Sequence, residues 1–65
     1  MKNEKEQYQL IGARIKEARQ KKGLSQKDLA EKVGFDSATS ISLIESGERK
    51  ISVVDLEKTA EILWR

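Results

Sequence analysis

The stretch that decides the fold is GLSQKDLAEKVGFDSATSISLIESG, residues 23–47. Within it, Ser25 precedes the segment QKDLAEKV and Asp28 follows three positions later. A hydroxyl cap and an acidic first turn predict a helix that begins here and ends at the next glycine. The segment ATSISLIE predicts a second helix, capped by Asp36 or Ser37 and ended by another glycine. Two short helices joined by a tight turn therefore form the centre of the fold.

The two helices must cross closely, and the sequence provides small residues for that crossing. Ala30 has almost no side chain to hold the helices apart. Gly34 can take the left-handed conformation that redirects the chain. Ile41 and Ile44, three residues apart, then attach the second helix to the first. Together with capping serines in register, these features predict a helix-turn-helix over about residues 26–45.

A longer helix precedes this stretch. From Tyr8 to Lys22, three apolar residues recur at helical steps of four and three: Ile11, Ile15 and Ala18. The lysines before Gly23 favour a helix end there, since cations stabilise the last turn. The polar start MKNEKE predicts a frayed N-terminus over residues 1–7.

A last helix follows the motif. Ser52 is its expected cap, and Asp55 lies in its first turn. Its predicted core face consists of four residues: Val53, Leu56, Ala60 and Leu63. With no strand pattern anywhere, the sequence predicts an all-α class, a small bundle of four helices forming one domain over residues 8–65.

Composition excludes several classes of protein. The chain of 65 residues contains no cysteine and no histidine, which removes disulfides and the usual zinc sites, so no metal or cofactor is expected. Its longest apolar runs predict neither a membrane span nor a signal peptide. The absence of cysteine suits a reducing cytosol, and a cytoplasmic location is expected. No catalytic constellation is present, since the carboxylates are scattered and no glycine-rich phosphate loop occurs, so an enzyme is not expected.

Charge is unevenly distributed along the chain. The net charge is +2, yet residues 1–22 carry seven Lys and Arg against three Glu, whereas residues 35–47 carry only two acidic residues and no basic one. A basic first segment can lie over phosphates. The same segment also fits a solvated helix face, and charge alone does not separate these interpretations.

Over roughly residues 10–63 the chain resembles the lambda-repressor/Cro-like (Xre-type) helix-turn-helix family. The matching stretches are IGARIKEAR, GLSQKDLAEKVG, ISLIESGERKIS and the leucine- and alanine-bearing last helix. The resemblance implies a DNA-binding fold in which the second motif helix, here about residues 37–45, enters the major groove of double-stranded DNA. The first motif helix, about residues 26–33, then crosses the DNA backbone.

The resemblance also implies phosphate contacts on both sides of the groove. Gln26 matches a glutamine that binds phosphate, and its place at a helix N-terminus, where free amides attract anions, supports that role. Ser25 is a cap with a possible second role on phosphate. Arg49 and Lys50 follow the second motif helix, where relatives grip phosphates. The alternative is that Gln26, Arg49 and Lys50 are ordinary solvated residues and that Ser25 is only a helix cap.

A structural ion pair is implied as well. Arg19 and Glu45 match a buried pair that ties the first helix to the end of the third. Arg19 lies beside the apolar stripe and Glu45 follows Ile44 directly, and a guanidinium can bind a carboxylate through two hydrogen bonds. Two solvated surface charges are the alternative.

The predicted base-reading set is small and weakly polar. It consists of Ser37, Ala38, Thr39, Ser40, Ser42 and Leu43. None is an Arg, Gln or Asn, which make the bidentate contacts to guanine or adenine. Hydroxyls can bond several bases, and Thr39 or Leu43 can touch a thymine methyl, so water and DNA shape are expected to share in specificity. Small residues packing at a helix crossing are the other interpretation.

The chain departs from the family in two ways. The family most often places its next apolar anchor six residues after the turn glycine, whereas Ile41 comes seven after Gly34, so the base-reading positions are uncertain by one. The family domain usually has a fifth helix, whereas this chain stops at Trp64 and Arg65. It is either a shortened piece or an unusually short member.

The expected function is sequence-selective binding of duplex DNA by a transcriptional regulator, such as a repressor, acting as a homodimer. Ile62 and Trp64 are the candidate dimer contacts. In the alternatives, Trp64 folds back on the first helix, or the cluster marks where a further segment packed. The other functional interpretations are a protein-interaction module, such as an antitoxin-like or regulatory partner, and a tether that holds a further domain to DNA.

Overall fold

The computed structural model describes residues 3–65, which form four α-helices joined by short connections. The helices are α1 (Glu4–Lys21), α2 (Gln26–Val33), α3 (Ala38–Ser46) and α4 (Val53–Leu63). No strand occurs in this part of the chain. The predicted all-α bundle of four helices is therefore confirmed.

The first helix begins earlier than the sequence suggested. Asn3 caps it, because its side-chain oxygen accepts a hydrogen bond from the backbone N–H of Glu6 at 2.8 Å. Residues 4–7, which we predicted to be frayed, therefore form the first turn, and residues 1–2 lie outside the described part. The prediction followed the apolar stripe, which starts near Tyr8. The cap and the acidic first turn need no apolar residue.

The motif helices agree with the sequence prediction to within one residue. Ser25 and Asp28 form a capping box, in which each side chain accepts a hydrogen bond of 2.9 Å from the other's backbone N–H. The backbone hydrogen bond from Ser25, followed by its side-chain bond, lowers the pKa of the Asp28 carboxyl below its ordinary value. Gly34 ends α2 with a φ of 101°, the predicted left-handed conformation. Ser37 holds the cap position of α3, although its side chain makes no capping bond.

The hydrophobic core contains residues from all four helices and from the loop before α4. Its buried members are Ile15, Leu29, Ala30, Val33, Ile41, Ile44, Ile51 and Leu63. Ile11, Ala18 and Leu56 are partly buried and pack against this cluster. The apolar faces predicted for α1, α2 and α3 therefore meet in one core.

The prediction that Val53 belongs to the core is wrong. Val53 is 80% exposed, whereas Ile51, which the sequence analysis did not select, is 7% exposed. Val53 is the first residue of α4 and lies at the edge of its apolar stripe, about 60° around the helix from Leu56. Ile51 enters the core from the preceding loop. Thr59 is also buried, and it satisfies its hydroxyl by donating to the carbonyl of Asp55 at 2.8 Å.

Gly12 sets how closely α1 approaches α3. A Cβ atom at this position would overlap the carbonyl oxygen of Ile44 and lie 2.6 Å from that of Glu45. Any larger residue must therefore push the two helices apart. From the sequence alone, a glycine inside a helix is expected to destabilise that helix. In the structure, its missing side chain lets the backbones of α1 and α3 come into contact.

We predict that Gly12→Ala destabilises the domain, although alanine is the better helix former. Helix propensity alone would stabilise it by about 1 kcal/mol, whereas overpacking costs about 1–3 kcal/mol. The control is Ala13→Gly at the exposed neighbouring position, which reports propensity alone and should cost about 0.5–1 kcal/mol. Thermal and urea melts measure both changes. A higher melting temperature for Gly12→Ala would contradict the close helix contact.

Candidate nucleic-acid interface

The structure brings Arg19 and Glu45 together in a buried ion pair. The Nε and Nη2 atoms of Arg19 donate to the two carboxylate oxygens of Glu45 at 2.6 and 3.2 Å. The Nη1 atom donates to the backbone carbonyl of Leu24 at 2.8 Å. The two side chains are 9% and 4% exposed. The planar fork of Arg19 thus binds the end of α3 and the turn before α2 at once.

Gln26 extends this pair into a network that reaches the start of α2. Its Nε2 atom donates to a carboxylate oxygen of Glu45 at 3.1 Å, and the side chain is partly buried. The sequence predicts a phosphate contact for Gln26 and gives no sign of this bond. An amide group has a second N–H and a carbonyl oxygen that can still bind elsewhere. We call Arg19, Leu24, Gln26 and Glu45 the Arg19–Glu45 network.

The third helix has one buried and one outward face. Its buried residues are Ile41, Ile44 and Glu45. At about 100° per residue, Thr39, Ser42 and Leu43 fall on the opposite side of the helix. Thr39 and Ser42 are exposed and Leu43 is half-buried. These three residues are the outer face of α3, and all three belong to the predicted base-reading set.

The rest of the predicted base-reading set lies around the start of α3. Ser37 is exposed and immediately precedes the helix. Ala38 and Ser40 are half-buried and lie on the flanks of the helix. Residues 35–37 form a non-helical connection, and α3 runs regularly from its first residue. Three residues therefore separate Gly34 from the first residue of α3.

The two basic residues of the loop after α3, Arg49 and Lys50, contact different parts of the fold. The Nη1 atom of Arg49 donates to the hydroxyl of Ser40 at 2.9 Å, which holds the guanidinium against the start of α3. Lys50 forms an exposed ion pair with Glu4 and lies 5.9 Å from the ring centroid of Tyr8. The two residues were predicted together as phosphate contacts, but the structure places them on different sides of the loop.

The segments before α3 carry exposed charged residues, whereas α3 itself has none on its surface. The only charged residue of α3, Glu45, is buried against Arg19. Lys27, which the sequence analysis passed over, is exposed in the first turn of α2 beside Gln26. The sequence feature that could have identified Lys27 is its position at a helix N-terminus, where anions bind. Asp36 is exposed in the connection before α3 and contributes a negative charge.

Comparison with known proteins bears on the same part of the chain. A profile of the helix-turn-helix family matches residues 15–63, from the middle of α1 to the end of α4. The chain belongs to the helix-turn-helix family of the lambda-repressor (Xre) type. This family consists of DNA-binding regulators of transcription. No curated protein and no solved structure matches this helix-turn-helix domain.

The end of α4 leaves an aromatic side chain on the surface of the helix-turn-helix domain. Trp64 is 53% exposed and lines a surface cleft with Arg14, Ala18 and Lys21 of α1. Ile62 is half-buried and packs against the core. The indole thus borders α1 without being covered by it. The structure does not bring Trp64 into the buried core.

Two other kinds of feature are absent from residues 3–65. No helix there is both long and apolar enough to cross a membrane. No group of three acidic side chains that could hold a metal ion occurs in that range.

We predict that Arg19→Ala or Glu45→Ala costs about 3–5 kcal/mol, because either change leaves an unpaired buried charge. A domain of this size has little stability to lose, so both variants should be largely unfolded. The matched control is Glu17→Ala, which removes an exposed ion pair with Lys21 at 3.6 Å in the same helix and should cost under about 1 kcal/mol. Circular dichroism melts compare the three. Wild-type melting of Arg19→Ala would show that the pair does not support the fold.

Proposed function

We propose that this chain is a transcription regulator that binds duplex DNA with sequence selectivity. In this proposal α3 lies in the major groove, while the start of α2 and the loop after α3 hold phosphates on either side. The main observation that supports this proposal is the outer face of α3. It is an uncharged surface on a helix whose opposite face is fixed by the core and by the Arg19–Glu45 network. A major groove about 12 Å wide admits such a helix.

Base reading is assigned to the outer face of α3. Thr39 and Ser42 offer hydroxyls that can donate or accept hydrogen bonds at base edges. Leu43 and the methyl group of Thr39 suit contact with a thymine methyl. Ser37, Ala38 and Ser40 lie near the start of the helix, where this class of protein contacts bases. Short side chains leave room for bridging water, so part of the selectivity is expected to come from water and DNA shape.

Phosphate contacts are assigned to two places. Ser25 and Gln26 stand at the N-terminus of α2, whose free amides and dipole favour an anion. The hydrogen bond from Gln26 to Glu45 orients the Gln26 side-chain amide. On the other side, Lys50 is exposed and its ion pair with Glu4 is accessible to solvent. A phosphate can replace that carboxylate at small cost, because exposed ion pairs contribute at most about 1 kcal/mol.

We further propose that the protein acts as a homodimer, because one module of this size buries too little DNA surface for strong binding. Trp64, with Ile62 beside it, is the proposed dimer contact. The alternative function is a protein-interaction module. Exposed apolar side chains at Leu10, Val53 and Val54 favour it, since they lie outside the α3 surface.

The central test is duplex binding at two salt concentrations, with DNA upstream of the protein's own gene and a scrambled duplex of equal length. We expect binding that weakens steeply with salt and prefers the upstream DNA. Lys50→Ala should weaken binding to both duplexes equally and lower the salt slope by about one. Lys58→Ala, an exposed lysine of α4, is the charge-matched control and should change the slope less.

The same assay separates positioning from reading. Thr39→Ala and Ser42→Ala should reduce discrimination between the two duplexes and leave binding to scrambled DNA nearly unchanged. Equal losses of affinity for both duplexes would contradict the proposal that α3 lies in the major groove. Absence of binding even at low salt would favour the protein-interaction module.

We predict that Trp64→Ala converts a concentration-dependent dimer into a monomer that is still folded, because truncation removes a large exposed aromatic contact. Analytical ultracentrifugation gives the oligomeric state, and melting curves check the fold. Val54→Ala, at another exposed apolar position on α4, is the control and should leave the dimer intact. A wild-type protein that is monomeric at every concentration would contradict the dimer contact.

A further inference from the structure

The hydrogen bond between Arg49 and Ser40 joins residues nine positions apart and connects the loop after α3 to α3 itself. Ser40 is the third residue of α3, so the guanidinium lies against the first turn of that helix. Arg49 is exposed, and within residues 3–65 no carboxylate lies within 4.0 Å of its charged group. The bond holds a long cationic side chain beside the proposed DNA surface without neutralising its charge.

The helix that Arg49 contacts lacks the side chains that read bases most strongly. From Ala38 to Ser46, α3 contains no Arg, Lys, Asn or Gln. Arg49 brings five N–H donors in a planar fork, and the bond to Ser40 uses one of them. The remaining donors suffice for two parallel hydrogen bonds to one base. Guanine, with its O6 and N7 acceptors in the major groove, is the base that such a fork recognises.

We propose that Arg49 reads a guanine in the major groove, and that Ser40 is a positioning residue that holds its guanidinium beside α3. This inference rests on the proposed DNA-binding function, and it replaces a phosphate role for Arg49 and a direct base-reading role for Ser40. The hydrogen bond to Ser40 holds the guanidinium of Arg49 against the first turn of α3, the helix that enters the groove in the proposed function. Lys50, paired on the α1 side of the same loop, keeps the phosphate role.

The first test selects preferred sites from a random duplex library with the wild type, Arg49→Ala and Arg49→Lys. The wild type should select a guanine at one position of each half-site. Arg49→Ala should lose that preference alone and bind the selected site about 5- to 150-fold more weakly, the usual range for a bidentate pair. Arg49→Lys keeps the charge but not the fork, so it should retain nonspecific affinity without restoring the full preference.

A modified base then identifies the groove and the acceptor. Replacing the selected guanine by 7-deazaguanine removes the N7 acceptor and leaves base pairing intact. The wild type should bind this duplex more weakly, and Arg49→Ala should not distinguish it from the unmodified one. An Arg49→Ala protein that weakens on all duplexes alike, with an unchanged selected site, would return Arg49 to phosphate binding and overturn the inference.

A double-mutant cycle tests the part assigned to Ser40. If Ser40 acts through Arg49, Ser40→Ala should weaken the guanine preference in the wild type and have no further effect on it in Arg49→Ala. Ser40→Thr keeps a hydroxyl and should restore much of the preference. Additive losses at different base positions would mean that Ser40 reads DNA by itself.

These outcomes distinguish the inference from the function on which it rests. A wild type that selects no sequence from the library contradicts the proposed function. A wild type that selects a sequence, together with an Arg49→Ala protein that selects the same one, contradicts only the role of Arg49. Melting curves for each variant confirm that the comparisons are made between folded proteins.

Discussion

The position of α3 depends on the buried contact between Arg19 and Glu45. A small domain hides little surface, so its core alone offers few ways to fix one helix against another. A buried ion pair often adds no more stability than apolar residues of similar volume. It differs from apolar packing in being directional, because each of the three guanidinium nitrogens of Arg19 donates to one particular acceptor. Here the acceptors belong to α3 and to the turn before α2, so satisfying Arg19 sets three segments at once.

Gly12 adds a second constraint on the same face of α1. It lies seven residues, or about two helical turns, before Arg19, and the buried Ile15 lies between them. At one end of this strip the backbones of α1 and α3 nearly touch, and at the other end a charged pair joins them. On α3 both contacts fall at residues 44 and 45. Together they fix how closely the C-terminal end of α3 approaches α1.

The features predicted correctly from the sequence are those with a local physical cause. Ser25, Gly34 and Gly47 mark helix ends through caps and left-handed turns, which depend on a few neighbouring residues. The start of α1 was missed because the prediction followed apolar periodicity and the helix begins with polar residues. Val53 was misplaced because periodicity does not show where a helix face loses its packing partners.

The site was harder to predict than the fold for a related reason. The importance of Gly12 depends on which backbone lies opposite, and that is a tertiary fact. The bonds from Gln26 to Glu45 and from Arg49 to Ser40 join residues that are 19 and nine positions apart. No local pattern encodes them. Residue type and the family resemblance indicated which residues to consider, and only the structure showed which ones meet.

The separation of α3 into two faces also bears on how such a domain can diverge. Residues that hold the helix in place and residues that face outward are different sets, joined only through the backbone of α3. Changes at Thr39 or Ser42 therefore leave the packing of Ile41 and Ile44 untouched. Under the proposed function, a gene duplicate can accumulate outward changes and acquire a new DNA target while its fold is inherited intact. The same division makes this scaffold suitable for retargeting by design, with the buried strip of α1 kept constant.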